Sequence, residues 1–326
     1  MKDTKGLIFE SLSKCKTLDL NVNADNYHLK QMAINALHSI LCNGDKLDQL
    51  LHILSDEDSQ KILQWCIQFK VAYLFDESVS DEYNQMIKKY TDSGKIERVK
   101  DSLFSVENYL IDSEFRSVFE TWELEAYRHE KVPVKEGDIV ISGGSFRGES
   151  SIWFADKVKY GKVYAFEPSQ MSFDAMKANI ERNNLEDIII PVNAALGKGN
   201  GEIFFQAKDE KEGPGSWCVI ENGTYPVDEI SIDRFVAEKG IEHVDFLKLD
   251  VEGMELAALQ GARQILQRDK PRLAVCLYHK GVDLFEIPLY IHKICPDYKI
   301  YLSQKVDDTG IVSDWNQLVM FASAEE

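Results

Sequence analysis

Apolar residues recur at helical spacing through the first part of the chain. They fall on one side of a helix over Asn26–Cys42, and the same spacing continues over Leu47–Leu54. The acidic run Ser55–Asp58 favours the start of a third helix, because negative charge is stabilising at a helix N-terminus. A fourth helix is predicted over about Ser80–Thr91, ahead of the break at Ser93–Gly94. This part of the chain therefore predicts a set of packed helices.

The next segment, Leu103–His129, is rich in aromatic residues and is also predicted to be helical. Two roles stay open for its aromatic side chains: packing against the following domain, or lining a substrate pocket. These side chains are Phe104, Tyr109, Phe115, Phe119, Trp122 and Tyr127. We expect residues 1–125 to form a helical N-terminal cap or oligomerisation region, and residues 126–326 to form a second domain.

From Asp138 onward, short apolar runs alternate with helical patterns. This alternation predicts an α/β fold with a mostly parallel sheet covered by helices on both faces. The strands are predicted at Asp138–Ile141, Lys162–Phe166, Ile188–Val192, Val244–Leu249 and Leu273–Tyr278, with a closing pair at Lys299–Leu302 and Leu318–Ala322. Helices are predicted over Ser169–Asn183, Ser231–Lys239, the segment after Asp250 and Asp283–Ile294, with a loop over Lys208–Thr224. Ligands bind such sheets at the carboxyl ends of the strands, where the strand order reverses.

The first predicted strand leads into a glycine-rich turn, Ser142–Gly148. Glycines at 143, 144 and 148 let the backbone turn sharply and let a ligand approach closely. Glu167 ends the second strand about twenty residues later, where an acidic side chain can accept hydrogen bonds from ribose hydroxyls. The turn lacks the spacing Gly-x-Gly-x-x-Gly, which argues against a dinucleotide.

Length, charge and composition limit the domain number, the classes of binding partner and the cellular location that we expect for this chain. The chain has 326 residues, enough for one domain of about 200 residues and a smaller one. Its formal net charge of −18 argues against broad attraction to nucleic acid or anionic membranes. No apolar run approaches the ~20 residues of a membrane span, and Met1–Gly6 lacks the apolar core of a secretion signal. We therefore expect no membrane insertion, a cytoplasmic location and reduced cysteines, which are scattered without zinc-ligand spacing.

Polar groups collect at three predicted strand ends: Ser142–Gly144, Lys248–Glu252 and Tyr278–His279. If the first, fourth and fifth strands are neighbours, these groups converge on one edge of the sheet. His279 is the best candidate for a general base, because an imidazole titrates near neutral pH. A surface histidine that follows a strand is the alternative.

Charged residues cluster where the fourth strand ends. Lys248 lies on a buried strand, so we expect it to be paired with Asp250 or another carboxylate. Asp250, Glu252 and Glu255 could bind a divalent cation, or could simply form an acidic first turn of a helix. We assign no metal site to them.

Four segments, in order, resemble the motifs of the FkbM family. They are Val140–Gly148, Phe166–Pro168, Asp245–Glu255 and Tyr278–Lys280. The family consists of class I S-adenosylmethionine-dependent methyltransferases, mostly O-methyltransferases of sugars and natural products. The resemblance covers about residues 105 to 323, and its most specific part is Lys-x-Asp-x-Glu-Gly-x-Glu. It implies a Rossmann-like class I methyltransferase sheet and S-adenosylmethionine as the cofactor.

The resemblance also implies roles for individual residues. The glycine turn would surround the methionine and ribose, Glu167 would bind the ribose hydroxyls, and Asn193–Ala194 would lie near the adenine. The implied cofactor contacts are Ser142, Gly143, Gly144, Ser145, Phe146, Gly148, Glu149, Ser150, Glu167, Pro168, Ser169, Asn193, Ala194 and Asp250. The implied catalytic residues are His279, Asp250, Lys248 and Glu252, with His279 as the base and Asp250 as the alternative base.

One position departs from the family pattern. The family usually has Asp where this chain has Ser142, and a serine supplies no negative charge for the ammonium group of the methionine. Glu149, just beyond the turn, is the candidate to compensate. The substitution leaves open a catalytically weakened relative that serves as a binding or scaffold protein.

The partners follow from the same motifs and charge. We expect a small-molecule or glycan acceptor, with no nucleic acid, and a homo-oligomer through the N-terminal helices stays open. A nicotinamide-dependent oxidoreductase is the second alternative, which the glycine spacing disfavours.

Overall fold

A computed structural model describes residues 3–14, 27–73, 96–207, 217–219, 223–304 and 318–325. The chain divides into two compact units. Residues 1–93 and 277–320 form the first unit, and residues 94–276 and 321–326 form the second. These breaks differ from the expected boundary at residue 125.

The described elements alternate as an α/β chain after an initial set of helices. In chain order they are α1 (Thr4–Lys14), α2 (Tyr27–Cys42), α3 (Gly44–Ile53), α4 (Glu57–Tyr73), β1 (Ile96–Lys100), β2 (Leu103–Val106), β3 (Tyr109–Asp112), α5 (Phe115–Val118), a π-helical turn (Phe119–Glu123), β4 (Ile139–Gly143), α6 (Glu149–Val158), β5 (Lys162–Phe166), α7 (Gln170–Arg182), β6 (Ile189–Val192), β7 (Ala195–Leu196), β8 (Gly201–Ala207), β9 (Trp217–Val219), β10 (Tyr225–Ile230), α8 (Ile232–Lys239), β11 (Phe246–Leu249), α9 (Glu255–Gln260), α10 (Arg263–Arg268), β12 (Arg272–Cys276), α11 (Asp283–Ile294), β13 (Lys299–Ser303) and β14 (Val319–Ser323).

The first unit packs N-terminal helices with a strand from near the end of the chain. Helices α2, α3 and α4 confirm the three helices predicted there, and Leu47 and Leu50 of α3 are fully buried. Ser55 and Ser59, at the start of α4, accept hydrogen bonds through their hydroxyls from backbone N–H groups of β13, at 2.8 and 2.9 Å. The helix predicted over Ser80–Thr91 lies outside the described residues.

The second unit begins with strands, so the helix predicted over Leu103–His129 was wrong in its first part. Strands β1, β2 and β3 form an antiparallel sheet over residues 96–112, and helical structure starts only at Phe115. The buried positions of β2 alternate, as in a strand with one buried face. Glu107 has φ +51° in the two-residue turn to β3. The all-helical description of residues 1–125 therefore fails at this sheet.

The main sheet of the second unit contains five parallel strands in the order β12-β11-β4-β5-β6. These are the predicted strands, and the expected neighbour relation among the first, fourth and fifth of them is confirmed. β14, whose residues 321–323 belong to this unit, lies beside β12. The strand order reverses between β4 and β11, so a ligand site is expected at the carboxyl ends of these two strands.

Four further strands form a smaller sheet that the sequence did not indicate. Its order is β7-β10-β8-β9, with β10 antiparallel to β8 and parallel to β7. Most of the loop predicted over Lys208–Thr224 lies outside the described residues.

The helix expected after Asp250 is divided into α9 and α10 at Gly261–Ala262. A side chain at Gly261 would meet the backbone oxygen of Gly197 at 2.1 Å.

Among the described residues, no helix combines the length and the apolar character that a membrane span requires.

Candidate functional site

The glycine turn after β4 brings three strand ends together. Gly144 has φ +73°, and a Cβ atom at this position would lie 1.7 Å from the backbone oxygen of Asp250, which follows β11. The N–H groups of Gly144 and Ser145 both donate to the carbonyl of Phe166, the last residue of β5, at 3.0 and 2.9 Å. Only glycine fits where the two backbones approach so closely.

A chain of buried hydroxyl groups lies beneath this turn. The Ser145 hydroxyl donates to the Ser142 backbone oxygen at 3.1 Å and lies 3.5 Å from the Ser142 hydroxyl. The Ser151 hydroxyl donates to Ser145 Oγ at 3.0 Å. All three serines are buried, with Ser142 fully so. Contact between Ser142 and a cofactor stays a prediction.

Glu167, at the end of β5, is buried against the glycine turn. Its carboxylate accepts hydrogen bonds from the N–H groups of Phe146 and Ser169, both at 2.8 Å. Phe146 has φ +46°, a left-handed conformation that is rare for a bulky residue. Burial raises the pKa of Glu167 to about 7, against the lowering effect of the two N–H groups and of the Lys248 charge.

The loop after β6 closes over the same strand end. Asn193 is exposed, and its amide donates to the backbone oxygens of Glu167 and Pro168 at 2.9 and 3.2 Å. The neighbouring Ala194 is buried. Ser169 caps α7 by accepting a hydrogen bond from the Ser172 N–H. The structure therefore brings the predicted ribose and adenine residues together around one strand end.

Glu149, the first residue of α6, is a second buried carboxylate at the turn. It follows Gly148, which has φ +95°, and Ser150 beside it is also buried. Its carboxylate accepts a hydrogen bond from the Ser113 hydroxyl. Burial raises the pKa of Glu149 to about 7, although Ser113, Arg147 and Lys248 act to lower it.

Lys248 of β11 donates hydrogen bonds to the backbone of the glycine turn. Its ammonium group donates to the carbonyls of Gly143 and Gly144 at 3.0 and 2.6 Å and is almost fully buried. The Asp250 carboxylate, which we expected as its partner, lies farther away, with Nζ and Oδ2 3.9 Å apart. The pairing with Asp250 is confirmed only as this longer contact, and backbone carbonyls are the nearer partners.

Tyr127 is a residue of this site that the sequence analysis named only as an aromatic. Its hydroxyl donates to Asp250 Oδ2 at 2.7 Å, and its ring centre lies 4.9 Å from the Lys248 ammonium. Burial, followed by the Asp250 charge, raises the pKa of Tyr127 well above its ordinary value, so the hydroxyl keeps its proton and remains a donor. The sequence carried no signal for this contact, which joins positions 123 residues apart.

The loop after β11 is tightly turned. Glu252 and Gly253 both have positive φ, +52° and +91°. The Glu255 carboxylate accepts a hydrogen bond from the Val251 N–H at 2.7 Å. Carboxylate oxygens of Asp250 and Glu255 lie within 4.8 Å of one another. A divalent cation between Asp250 and Glu255 stays a prediction, beside the alternative of an acidic first turn.

His279 belongs to the first unit, where its ring centre lies 4.3 Å from that of Tyr278. Its role as a general base, like the catalytic role of Glu252, stays a prediction. The residues that the second unit assembles can hold a ribose and a positively charged group, because two buried carboxylates and a glycine turn share the ends of β4 and β5.

Comparisons with known proteins find relatives that match the part of the chain carrying this geometry. Residues 143–295 match a family model described as the methyltransferase FkbM domain. The hexuronic acid methyltransferase AglP of Haloferax volcanii is 28% identical over 185 residues, which cover 55% of this chain and 74% of that protein.

A solved structure extends the likeness in fold. The methyltransferase FkbM of Methylobacillus flagellatus KT has a TM-score of 0.57 and 20% identity, over 88% of this chain. The chain spans only 60% of the length of that protein. At this identity the likeness concerns the fold.

Proposed function

From the match of residues 143–295 to the methyltransferase FkbM domain, we propose that this chain is an S-adenosylmethionine-dependent methyltransferase of that family and that it methylates a hydroxyl group of a sugar, a glycan or a related natural product. The observation that carries the acceptor class is the match to a hexuronic acid methyltransferase. A sugar hydroxyl needs both a methyl donor and the removal of its proton, and the proposed site has candidates for both tasks.

The residues at the turn fit the cofactor. S-adenosylmethionine carries positive charge on its sulfonium and ammonium groups, and Glu149 and Glu167 are buried carboxylates beside the turn. Glu167 would hold the ribose hydroxyls, and Asn193–Ala194 would border the adenine. Gly144 lets the turn pack directly against the Asp250 backbone, which would hold the strand ends in place around the cofactor.

The cofactor supplies an electrophilic methyl group, so the protein has to align the acceptor oxygen and take its proton. We assign proton removal to His279, with Asp250 as the alternative base. Tyr127 fixes one oxygen of the Asp250 carboxylate, which supports a defined orientation for that group. Lys248 contributes by holding the two carbonyls of the turn.

A methyl-transfer assay tests this function. The purified chain is incubated with S-adenosylmethionine and with free and nucleotide-linked hexuronic acids or neutral hexoses, and products are detected by the mass of one added methyl group. We expect transfer to at least one of these sugars. Failure of S-adenosylmethionine to bind at millimolar concentration would instead support the scaffold alternative.

The His279→Ala variant tests the proposed base in the same assay. Loss of general-base assistance should lower turnover by ~10²–10⁴-fold while the Kd for S-adenosylmethionine stays nearly unchanged. His243→Ala is the matched control, because His243 is an exposed histidine paired with Asp245 before β11. Unchanged turnover in His279→Ala would remove this residue from the mechanism and leave Asp250 as the candidate base.

A further inference from the structure

Glu149 is a buried carboxylate without a cationic partner. Only 2% of the residue is exposed. Among the residues that the structure describes, no lysine, arginine or histidine nitrogen lies within 4.0 Å of its carboxylate. Its side-chain hydrogen bond comes from the neutral Ser113 hydroxyl. Buried charges in proteins are normally paired, so this carboxylate lacks the compensation that its position requires.

Arg147 and Lys248, the two cations whose charge acts on Glu149, make their own contacts with other groups. Lys248 gives its hydrogen bonds to the carbonyls of Gly143 and Gly144. Arg147 faces Asp112, with a nitrogen and an oxygen 4.0 Å apart. Both act on Glu149 only through longer-range charge. A positively charged ligand is therefore the partner that would satisfy this carboxylate.

The position of Glu149 places that ligand in the cofactor site. The residue directly follows the glycine turn, and the Phe146 N–H of the same turn donates to Glu167, the proposed ribose ligand, at 2.8 Å. The two carboxylates therefore adjoin the same turn at the ends of β4 and β5.

We propose that Glu149 pairs with the α-ammonium group of the methionine part of S-adenosylmethionine, and so makes the site select the complete cofactor over adenosine fragments. This inference rests on the proposed function. The ammonium group is the better partner, because it donates hydrogen bonds and the sulfonium does not. A carboxylate held against the sulfonium would also compete with the acceptor for the methyl group.

Binding of two related ligands tests the assignment without knowledge of the acceptor. S-adenosylhomocysteine has the ammonium but no sulfonium, and 5′-methylthioadenosine lacks the amino-acid part entirely. Calorimetry measures Kd for both. We expect Glu149→Gln to weaken binding of S-adenosylhomocysteine by about 10- to 100-fold, the range for a hydrogen bond between charged groups. Binding of 5′-methylthioadenosine should change by less than about twofold.

Two controls separate recognition from a structural role. Ser113→Ala removes the hydroxyl that Glu149 accepts from but keeps the carboxylate, and it should keep the preference for S-adenosylhomocysteine. Glu186→Gln makes the same chemical change at an exposed glutamate and should leave both Kd values unchanged. Equal weakening of both ligands in Glu149→Gln, or no weakening of either, would overturn the inference.

The outcomes also distinguish this inference from the function on which it rests. If the unaltered chain binds neither ligand, the proposed function fails and the inference fails with it. If the unaltered chain binds both ligands equally well, the function stands and the role of Glu149 is refuted.

Discussion

At the scale of single residues, Gly144 lies where the turn after β4 packs against Asp250, the residue that follows β11. It combines a left-handed φ of +73° with direct approach to the Asp250 backbone oxygen. The glycine pattern in the sequence predicted a tight turn there. The approach to Asp250 could not be predicted, because it depends on a strand more than a hundred residues later. The Tyr127 contact was missed for the same reason.

Gly144→Ala should therefore be much more destabilising than a similar change at a glycine with free space. Gly240 is the matched control: it has φ +63° at the end of α8, and among the described residues nothing beyond its chain neighbours lies within 4 Å of where a Cβ atom would be. Alanine in the left-handed region costs about 1–2 kcal/mol in either place. At Gly144 the clash with backbone should raise the loss above ~3 kcal/mol. Urea unfolding measures both values, and equal losses would contradict the steric argument.

At the scale of elements, α7 closes the edge of strand β3 with two asparagine side chains. Asn183 both accepts from the Leu110 N–H and donates to the Leu110 carbonyl, each at 2.9 Å. Asn179 makes the same pair of bonds with Asp112, at 2.9 and 3.0 Å. Asn179 and Asn183 are four residues apart, a rise of about 6 Å along a helix. Leu110 and Asp112 are two residues apart, about 6.6 Å along a strand, so each asparagine can reach its own strand residue.

This pairing predicts unequal effects for two identical substitutions. Asn179 is fully buried and also donates to the Arg147 carbonyl in the glycine turn at 2.8 Å. Asn179→Ala leaves buried backbone groups without partners, so it should lower the free energy of unfolding by about 2–4 kcal/mol. Asn183→Ala lies at a partly exposed position and should cost about 1 kcal/mol. Denaturant unfolding of the two variants gives the comparison, and a larger loss at Asn183 would contradict it.

The elements themselves were predictable to different degrees. The five strands of the parallel sheet are short apolar runs bounded by polar residues, and their sequence leaves little alternative. The aromatic residues of β2 and β3 fit a helix and a strand equally well, so the local pattern did not decide. In the folded chain β3 is held as a strand in part by hydrogen bonds to the side-chain amides of Asn183 and Asn179 in α7. These partners lie 73 and 67 residues away along the chain, so the local sequence pattern could not show them.

At the scale of the whole molecule, the titration of two buried carboxyl groups makes the free energy of unfolding depend on pH. Glu149 and Glu167 have pKa values of about 7 in the folded protein, above the ordinary 4.5 that they regain on unfolding. Between these pH values the folded state binds more protons than the unfolded state. The free energy of unfolding should therefore fall as the pH rises from about 4.5 to 7 and level off above 7.

The size of this effect can be measured on one variant. Each carboxyl group accounts for a fall of up to about 3 kcal/mol in the free energy of unfolding, since one pKa unit corresponds to about 1.36 kcal/mol. Glu149→Gln keeps an acceptor for Ser113 without the buried charge, so it should be more stable than the unaltered protein at pH 8 and lose part of the pH dependence. Urea unfolding at pH 5, 6, 7 and 8, without ligand, is the measurement. Stability that rises from pH 5 to 7 in the unaltered protein would contradict the argument.

The first unit is formed by two distant segments of the chain, and this affects the order in which the protein folds on the ribosome. Residues 1–93 emerge before the second unit, yet β13, which bonds to Ser55 and Ser59, is translated more than two hundred residues later. The second unit is nearly continuous in sequence, since only residues 321–326 join it from the end. Its parallel sheet can form while the N-terminal helices still wait for their strand. The first unit is thus completed only after the five parallel strands of the second unit have been synthesised, and its nascent helices lack their strand through most of translation.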